Sequence, residues 1–189
     1  MRKRCYGVTM KIEPWEEVSE GAPDERRIFT VRSDVVRSPV TGREHTVDRL
    51  LAPDWVNVVA ITDANEMLFV RQWRFGTRTF TLEVPAGLVE PGEEPLAAGR
   101  RELLEETGYA GPDARVIGTV LPNPAFMNNK TTTIYIPRVA SVAEQQLDPM
   151  EELEVVKIPV ERVERMLKEG GELATALGMV GLMWWQMAR

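Results

Sequence analysis

Proline and glycine residues mark off a helix near residues 94–107. Pro91-Gly92 stops the preceding segment, Pro95 suits a first helical turn, and Gly108 suits the position just after a helix. The other central segments read as strands, because short apolar or alternating runs are bounded by turn residues. Many strands with few interleaved helices predict an α+β fold. We therefore expect an α/β/α sandwich with a mixed β-sheet, and not a doubly wound parallel sheet.

The predicted strands run from residue 4 to residue 158, and two helices follow them. Strands are predicted at residues 4–13, 26–52, 56–61, 67–73, 79–84, 114–120, 131–136 and 153–158, and two further helices at residues 159–168 and 172–187. Residues 1–50 are rich in arginine and would make a poor domain alone. We therefore predict an N-terminal antiparallel strand extension at residues 1–50 and a main domain at residues 51–189.

Composition excludes several kinds of protein. No segment approaches the roughly 20 apolar residues of a membrane span, and the N-terminus lacks a secretory signal, so we expect a cytoplasmic protein without a membrane partner. A net charge of −6 argues against a nucleic-acid partner. With Cys5 and His45 as the only residues of their types, intramolecular disulfides, cysteine-based zinc sites and histidine-rich metal centres are excluded. Metal and acid–base chemistry therefore falls mainly on Asp and Glu.

The predicted helix carries three glutamates on one side. Glu102, Glu105 and Glu106 are related as i, i+3 and i+4, so their carboxylates point to one patch. Like charges at this spacing repel each other, and the last turn of a helix disfavours acidic residues. Both penalties reverse if a divalent cation binds, and oxygen ligands select Mg²⁺ or Mn²⁺. The alternative is an ordinary solvated acidic face.

The loop before the helix fits the same site. Gly87 and Gly92 allow tight backbone turns beside the carboxylates, and a backbone carbonyl near Ala86 could be an additional oxygen ligand. An ordinary turn at the end of a strand is the alternative explanation for Gly87.

Residues 87–109 read GLVEPGEEPLAAGRRELLEETGY, which resembles the Nudix box, Gly-x5-Glu-x7-Arg-Glu-U-x-Glu-Glu-x-Gly-U, where U is a bulky aliphatic residue. The matching residues are Gly87, Glu93, Arg101, Glu102, Leu103, Glu105, Glu106 and Gly108. The one departure is Tyr109 at the last aliphatic position. The resemblance implies a Nudix sandwich fold, with Glu102, Glu105, Glu106 and the Ala86 carbonyl as metal ligands and an ion pair between Glu93 and Arg101.

The flanking segments resemble those of ADP-ribose pyrophosphatases and related nucleoside-diphosphate-sugar hydrolases. The similar segments are RQWRF at residues 71–75 and EVPAG at residues 83–87, with Pro124 fifteen residues after the box. This likeness implies that Arg71, Arg74, Glu83 and Pro124 bind substrate, with Arg74 on the diphosphate. Solvation at the surface of a hairpin is the alternative for the two arginines.

In such enzymes, a glutamate on a loop far past the box can serve as general base. Glu151 and Glu152 are the candidates here, with Glu151 preferred, and an acidic surface turn is the alternative. Glu105 counts among the catalytic residues as well as the metal ligands. The resemblance also implies a homodimer completed by the N-terminal strands.

The implied reaction is Mg²⁺-dependent hydrolysis of the diphosphate bond of ADP-ribose or a nucleoside-diphosphate sugar, giving a nucleoside monophosphate and a sugar phosphate. The alternatives are another nucleotide substrate (a dinucleoside polyphosphate, coenzyme A or an oxidised nucleoside triphosphate) and a module that senses a nucleotide without cleaving it. The three intact carboxylates argue against the sensing module.

Overall fold

A computed structural model of the chain describes residues 12–169, 173 and 175–189, together with two short strands near the N-terminus. Residues 6, 7, 10 and 11 of the first predicted strand segment, and Glu172 at the predicted start of the last helix, lie outside the described residues. The strands are β1 (Arg4–Cys5), β2 (Val8–Thr9), β3 (Glu16–Ser19), β4 (Asp24–Glu25), β5 (Thr30–Arg37), β6 (Glu44–Leu51), β7 (Trp55–Thr62), β8 (Glu66–Arg74), β9 (Thr79–Glu83), β10 (Ala86–Leu88), β11 (Tyr109–Ala110), β12 (Arg115–Val120), β13 (Thr131–Ser141) and β14 (Leu153–Pro159). The helices are α1 (Pro95–Thr107), α2 (Val160–Glu169) and α3 (Ala176–Met187).

The chain divides into two compact units, and the first comprises Met1–Ala52 with Asn123–Asn128. Its antiparallel sheet joins β3, β4 and β6 to β5. Asp34 in β5 is buried, and it accepts hydrogen bonds from the Gly21 amide and from Arg49 Nε. A buried carboxylate requires such partners, so this ion pair ties β6 to the centre of the sheet.

The second unit comprises Pro53–Pro122 with Asn129–Arg189 and contains an eight-stranded sheet. Strand β13 runs parallel to β7, whereas β8 is antiparallel to β7 and β14 is antiparallel to β8. The prediction of a mixed sheet is therefore confirmed.

Two hydrophobic cores lie on opposite faces of this sheet. Along β7, Val59 packs with α2 and α3 residues, while its neighbour Val58 packs with Leu103 of α1. Successive side chains of a strand point to opposite faces, so α1 covers one face and the two later helices cover the other. The predicted α/β/α sandwich is confirmed. Among the described residues, no helix is long and apolar enough to span a membrane.

Strand β10 is an element that the sequence pattern did not predict. Pro85, Ala86 and Gly87 read as the end of a strand, but the chain continues and pairs antiparallel with β7, with Ala86 opposite Asn57. Proline and glycine are poor strand formers, so pairing with an existing strand overrides local preference here. The consequence is that Ala86 and Gly87 lie beside α1.

Candidate active site

Helix α1 carries the acidic side chains of the candidate site near its carboxyl end. The helix ends where Gly108 takes a left-handed conformation (φ 73°) and donates its N–H to the Leu104 carbonyl. Leu103 is fully buried in the core and fixes the rotation of the helix against the sheet. With that rotation, the side chains of Glu102 and Glu106 reach strand β10.

Glu106 is buried, with 4% of its surface exposed. Its Oε2 accepts a hydrogen bond of 3.0 Å from the Ala86 amide. Burial, with the negative charges of Glu102 and Glu151, raises the pKa of Glu106 to about 8. The Ala86 hydrogen bond and the positive charge of Arg74 act in the opposite direction and do not compensate. An ionised Glu106 therefore needs additional positive charge nearby.

The Glu102 carboxylate lies directly against Gly87 in β10. A Cβ atom added at Gly87 would be 2.0 Å from the Glu102 carboxyl carbon, so a larger residue there would displace the carboxylate. Burial raises the pKa of Glu102, and the charges of Glu105 and Glu151 add to this effect. The Arg101 guanidinium opposes the rise through a hydrogen bond and its charge.

Arg101 links the carboxylates to the loop before the helix. Its Nε and Nη2 donate to the two Glu93 oxygens at 3.0 and 2.9 Å, and Nη2 also donates to the Leu88 carbonyl. Its Nη1 donates to Glu102 at 2.8 Å and to Glu105 at 3.0 Å. A guanidinium has five N–H donors, so these five bonds use all of them. The ion pair expected between Glu93 and Arg101 is present and is one part of this larger network.

Arg74 is held by Glu83 across the β8–β9 hairpin. Arg74 Nε and Nη2 donate to the two Glu83 oxygens at 2.7 and 2.8 Å. The Thr81 hydroxyl donates to the same Glu83 Oε1 at 2.6 Å. Burial opposes ionisation of Glu83, but these hydrogen bonds outweigh it and lower its pKa. The ion pair with Glu83 orients the Arg74 guanidinium, whose positive charge acts on the carboxylates of Glu106 and Glu151.

Arg71 lies apart from Arg74, because residues three apart on a strand point to opposite faces. The Arg71 guanidinium lies 5.0 Å from the centre of the Phe80 ring, and it is 4.0 Å from the Glu154 carboxylate. Phe80 contacts Trp73 edge to face. The structure therefore brings Arg74, and not Arg71, to the carboxylates.

The two glutamates proposed as general bases differ in their surroundings. Glu151 ends a turn in which its N–H donates to the Asp148 carbonyl and its Oε2 accepts from the Asp148 amide. After burial, the negative charge of Glu151 is among the causes that raise the pKa of Glu102 and Glu106. Glu151 therefore lies close enough for its charge to act on the carboxylates of Glu102 and Glu106. The side chains of Glu151 and Glu152 are both exposed, and Glu152 lies just before β14.

Pro124 lies in the turn Asn123–Asn128, which belongs to the first unit. In that turn, the Phe126 carbonyl accepts a hydrogen bond from the Leu50 amide at the end of β6. The substrate-binding role given to Pro124 by resemblance therefore stays a prediction.

The glutamates of α1 fit a divalent cation by their chemistry but not by their present arrangement. Within the part of the chain that the structure describes, no three Asp, Glu, His or Cys side chains are grouped to hold a metal ion. Arg101 Nη1 binds Glu102 and Glu105 together, so coordination requires these side chains to rearrange. The buried Glu106, whose pKa burial and two neighbouring carboxylates raise, is the kind of oxygen donor that a hard cation favours.

Sequence reasoning missed several contacts of the site, and three of them show why. The Thr81 hydroxyl could have been found, because residues 81 and 83 share one face of a strand. The bond from Arg101 to Glu105 follows helical i, i+4 spacing and was also accessible. The third, from Gln145 Nε2 to the Glu106 carbonyl at 2.6 Å, had no signal, because 39 residues separate the partners.

Comparison with known proteins points to one family. The sequence model of the family described as NUDIX domain matches residues 53–176. An ADP-ribose pyrophosphatase of Bacillus subtilis (strain 168) is 34% identical over 111 residues, which are 58% of this chain and 60% of that protein. A methanol dehydrogenase activator of Bacillus methanolicus is 28% identical over 145 residues, 76% of this chain and 77% of that protein.

A solved structure supports the same fold. The crystal structure of an ADP compounds hydrolase superposes with a TM-score of 0.83 at 22% identity, covering 95% of this chain and 96% of that one. At this identity the likeness concerns the fold alone. The match with the Bacillus subtilis protein spans 60% of that protein's length. The predicted resemblance to ADP-ribose pyrophosphatases is confirmed.

Proposed function

The chain belongs to the NUDIX domain family, and we propose that it hydrolyses the diphosphate bond of ADP-ribose or of a nucleoside-diphosphate sugar. The observation that supports this most directly is the cluster around Glu106. There, Glu102 and Glu151 add negative charge to a buried carboxylate, and Arg74 is the neighbouring cation. Such a cluster is costly in a protein without a cation, and it suits one that binds a cation with a phosphate substrate.

In this proposal Glu102, Glu105, Glu106 and the Ala86 carbonyl hold Mg²⁺, with Mn²⁺ as the alternative. When bound, the cation supplies neutralisation of the diphosphate charge and activation of water. Arg101 has a positioning role, because it holds one oxygen each of Glu102 and Glu105. Orientation of ligating carboxylates by outer hydrogen bonds is a general property of metal sites.

The other residues act on substrate and water. Glu151 accepts the proton of the attacking water as general base, with Glu152 as the alternative. Arg74 binds the diphosphate with N–H groups other than the two that bind Glu83, which keeps the guanidinium oriented. Attack at phosphorus breaks the phosphoanhydride P–O bond, so ADP-ribose gives AMP and ribose 5-phosphate.

A substrate panel with Mg²⁺ tests this proposal: ADP-ribose, GDP-mannose, UDP-glucose, diadenosine polyphosphates and nucleoside triphosphates, with release of phosphate esters as the measurement. We expect the highest kcat/KM on ADP-ribose or a nucleotide sugar, and a kcat that is lower by roughly 100-fold or more in Glu151→Gln. Glu152→Gln is the comparison variant and should stay within about threefold of the wild type, whereas a fall as large as that of Glu151→Gln would assign the general base to Glu152. Tight binding of one nucleotide without turnover would instead favour the sensing module.

We also propose that residues 1–50 form a dimerisation region and residues 51–189 the catalytic domain. The first unit exposes large apolar side chains, among them Ile12 (79%), Ile28 (56%) and Trp15 (48%). Exposed apolar surface of this kind is typical of an interface. Sedimentation velocity should give a species of twice the chain mass of 21.3 kDa. A single species at the chain mass over the micromolar range would contradict the dimer.

A further inference from the structure

The segment that carries Glu151 is attached to the end of α1 by hydrogen bonds. We call residues 142–152 the Glu151 loop. The amides of Val142 and Ala143 donate to the Gly108 carbonyl at 2.9 and 3.1 Å. The Gln146 amide donates to the Glu105 carbonyl at 2.8 Å, and Gln145 Nε2 donates to the Glu106 carbonyl at 2.6 Å. The last carbonyls of a helix lack hydrogen-bond partners within the helix. These bonds therefore give partners both to the carbonyls at the end of α1 and to the N–H groups of the loop.

The Gln145 bond differs from the other three because it uses a side chain. Residues 141–146 are all exposed, so burial of apolar surface contributes little to holding this part of the loop. The carbonyl can only accept a hydrogen bond, so the amide nitrogen of Gln145 must face it. Backbone bonds persist in almost any variant, whereas this bond depends on the identity of one residue.

Two of the three carbonyls that the loop binds belong to Glu105 and Glu106, whose carboxylates are two of the three assigned to the cation. Six residues after Gln145, Glu151 closes a turn with Asp148 and acts electrostatically on Glu106. The bond from Gln145 therefore connects the helix that presents the carboxylates with the loop that presents the general base. A displacement of about 1 Å in such a group can reduce a rate by about 100-fold.

We propose that Gln145 is a positioning residue that fixes the distance between Glu151 and the carboxylates of α1 by anchoring the Glu151 loop on the Glu106 carbonyl. This inference rests on the proposed function, because Glu151 is the general base there. Gln145 touches neither substrate nor water in this role. Its effect passes through Glu151, so it should appear in kcat and not in KM.

Gln145→Met tests the inference, because methionine has a similar shape and no N–H donor. The matched control is Gln146→Met. This change replaces the side chain and retains the hydrogen bond from the backbone N–H of residue 146 to the Glu105 carbonyl. With Mg²⁺ and the best substrate of the panel, we expect kcat to fall about tenfold or more in Gln145→Met, with KM within twofold. Gln146→Met should match the wild type. Gln145→Asn, too short to reach the carbonyl, should repeat the loss.

A double-mutant cycle separates positioning from a general structural role. In a Glu151→Gln background, Gln145→Met should change kcat by less than about twofold, because the group that it positions is absent. Hydrogen exchange of the metal-free protein gives a readout that needs no activity: the Glu151 loop should exchange faster in Gln145→Met and not in Gln146→Met.

The outcomes distinguish failure of the inference from failure of the proposed function. If the wild type cleaves nothing in the panel, the proposed function fails, while faster exchange in Gln145→Met alone still supports the anchor. If the wild type is active and the two methionine variants behave alike, the anchoring role is wrong. A tenfold fall in kcat that persists in the Glu151→Gln background would also overturn it.

Discussion

Glu106→Gln is expected to abolish hydrolysis while leaving the metal-free protein at least as stable as the wild type. Glutamine cannot supply the negative charge that a cation needs at this position, so we expect kcat to fall on the order of 10³-fold or more. Stability should not fall, because burial and neighbouring carboxylates make the ionised Glu106 unfavourable. A glutamine Oε1 can still accept the hydrogen bond from Ala86.

Two measurements check this prediction: kcat on the best substrate with Mg²⁺, and thermal unfolding in the presence of EDTA. Glu94→Gln is the matched control on the same helix, because Glu94 is exposed at the amino end and makes no side-chain capping hydrogen bond. The control should retain activity within about twofold, as expected of a surface change. An active Glu106→Gln enzyme would exclude Glu106 as an essential ligand, and a strongly destabilised one would show that its charge is compensated in the folded protein.

The stability of the metal-free protein is expected to fall as the pH rises from about 5 to about 8, and Mg²⁺ should reverse this trend. The pKa of Glu106 is about 8 in the folded protein and 4.5 when unperturbed. Between these values the folded state keeps a proton that the unfolded state has released. Raising the pH therefore favours unfolding, with a slope of up to about 1.4 kcal/mol per pH unit.

Urea unfolding at pH 5, 6, 7 and 8, with EDTA or with excess Mg²⁺, measures this dependence. In EDTA, the stabilising contribution of protonated Glu106 to the free energy of unfolding is complete below about pH 4.5 and is lost above about pH 8. A bound cation favours the ionised carboxylate, so the stabilisation by Mg²⁺ should grow with pH. Glu106→Gln should flatten both profiles. Equal pH profiles of wild type and variant in EDTA would contradict a raised pKa at this residue.

Several local features of the fold follow from residue type and spacing alone. Helix α1 was predicted within about one residue at each end, because Pro95 and Gly108 have strong backbone preferences that tertiary contacts do not override. The mixed sandwich followed from the succession of strand-like segments. Strand β10 was missed because its residues pair with β7 residues that lie 29 to 33 positions earlier in the chain, and local propensity does not depend on such distant partners.

In the candidate site, too, some features follow from local sequence and others from tertiary contacts. Spacing alone grouped Glu102, Glu105 and Glu106 on one side of a helix, because the helical repeat is a local property. Spacing treated the three as equivalent, whereas packing buries Glu106 and directs Glu102 and Glu105 to Arg101. The burial of a side chain depends on the residues that pack against it. The different pKa shifts of the glutamates could therefore be identified only in the folded chain.

By itself, then, the sequence determined the α1 helix, the strand-rich sandwich and the carboxylate cluster, all of which depend on neighbours within a few positions. Only the tertiary structure separated Arg74 from Arg71 at the site, brought the charge of Glu151 close to Glu106, and joined Gln145 to the Glu106 carbonyl. These last distinctions depend on contacts between residues far apart in the chain, where distance and burial decide the electrostatic and hydrogen-bond energies.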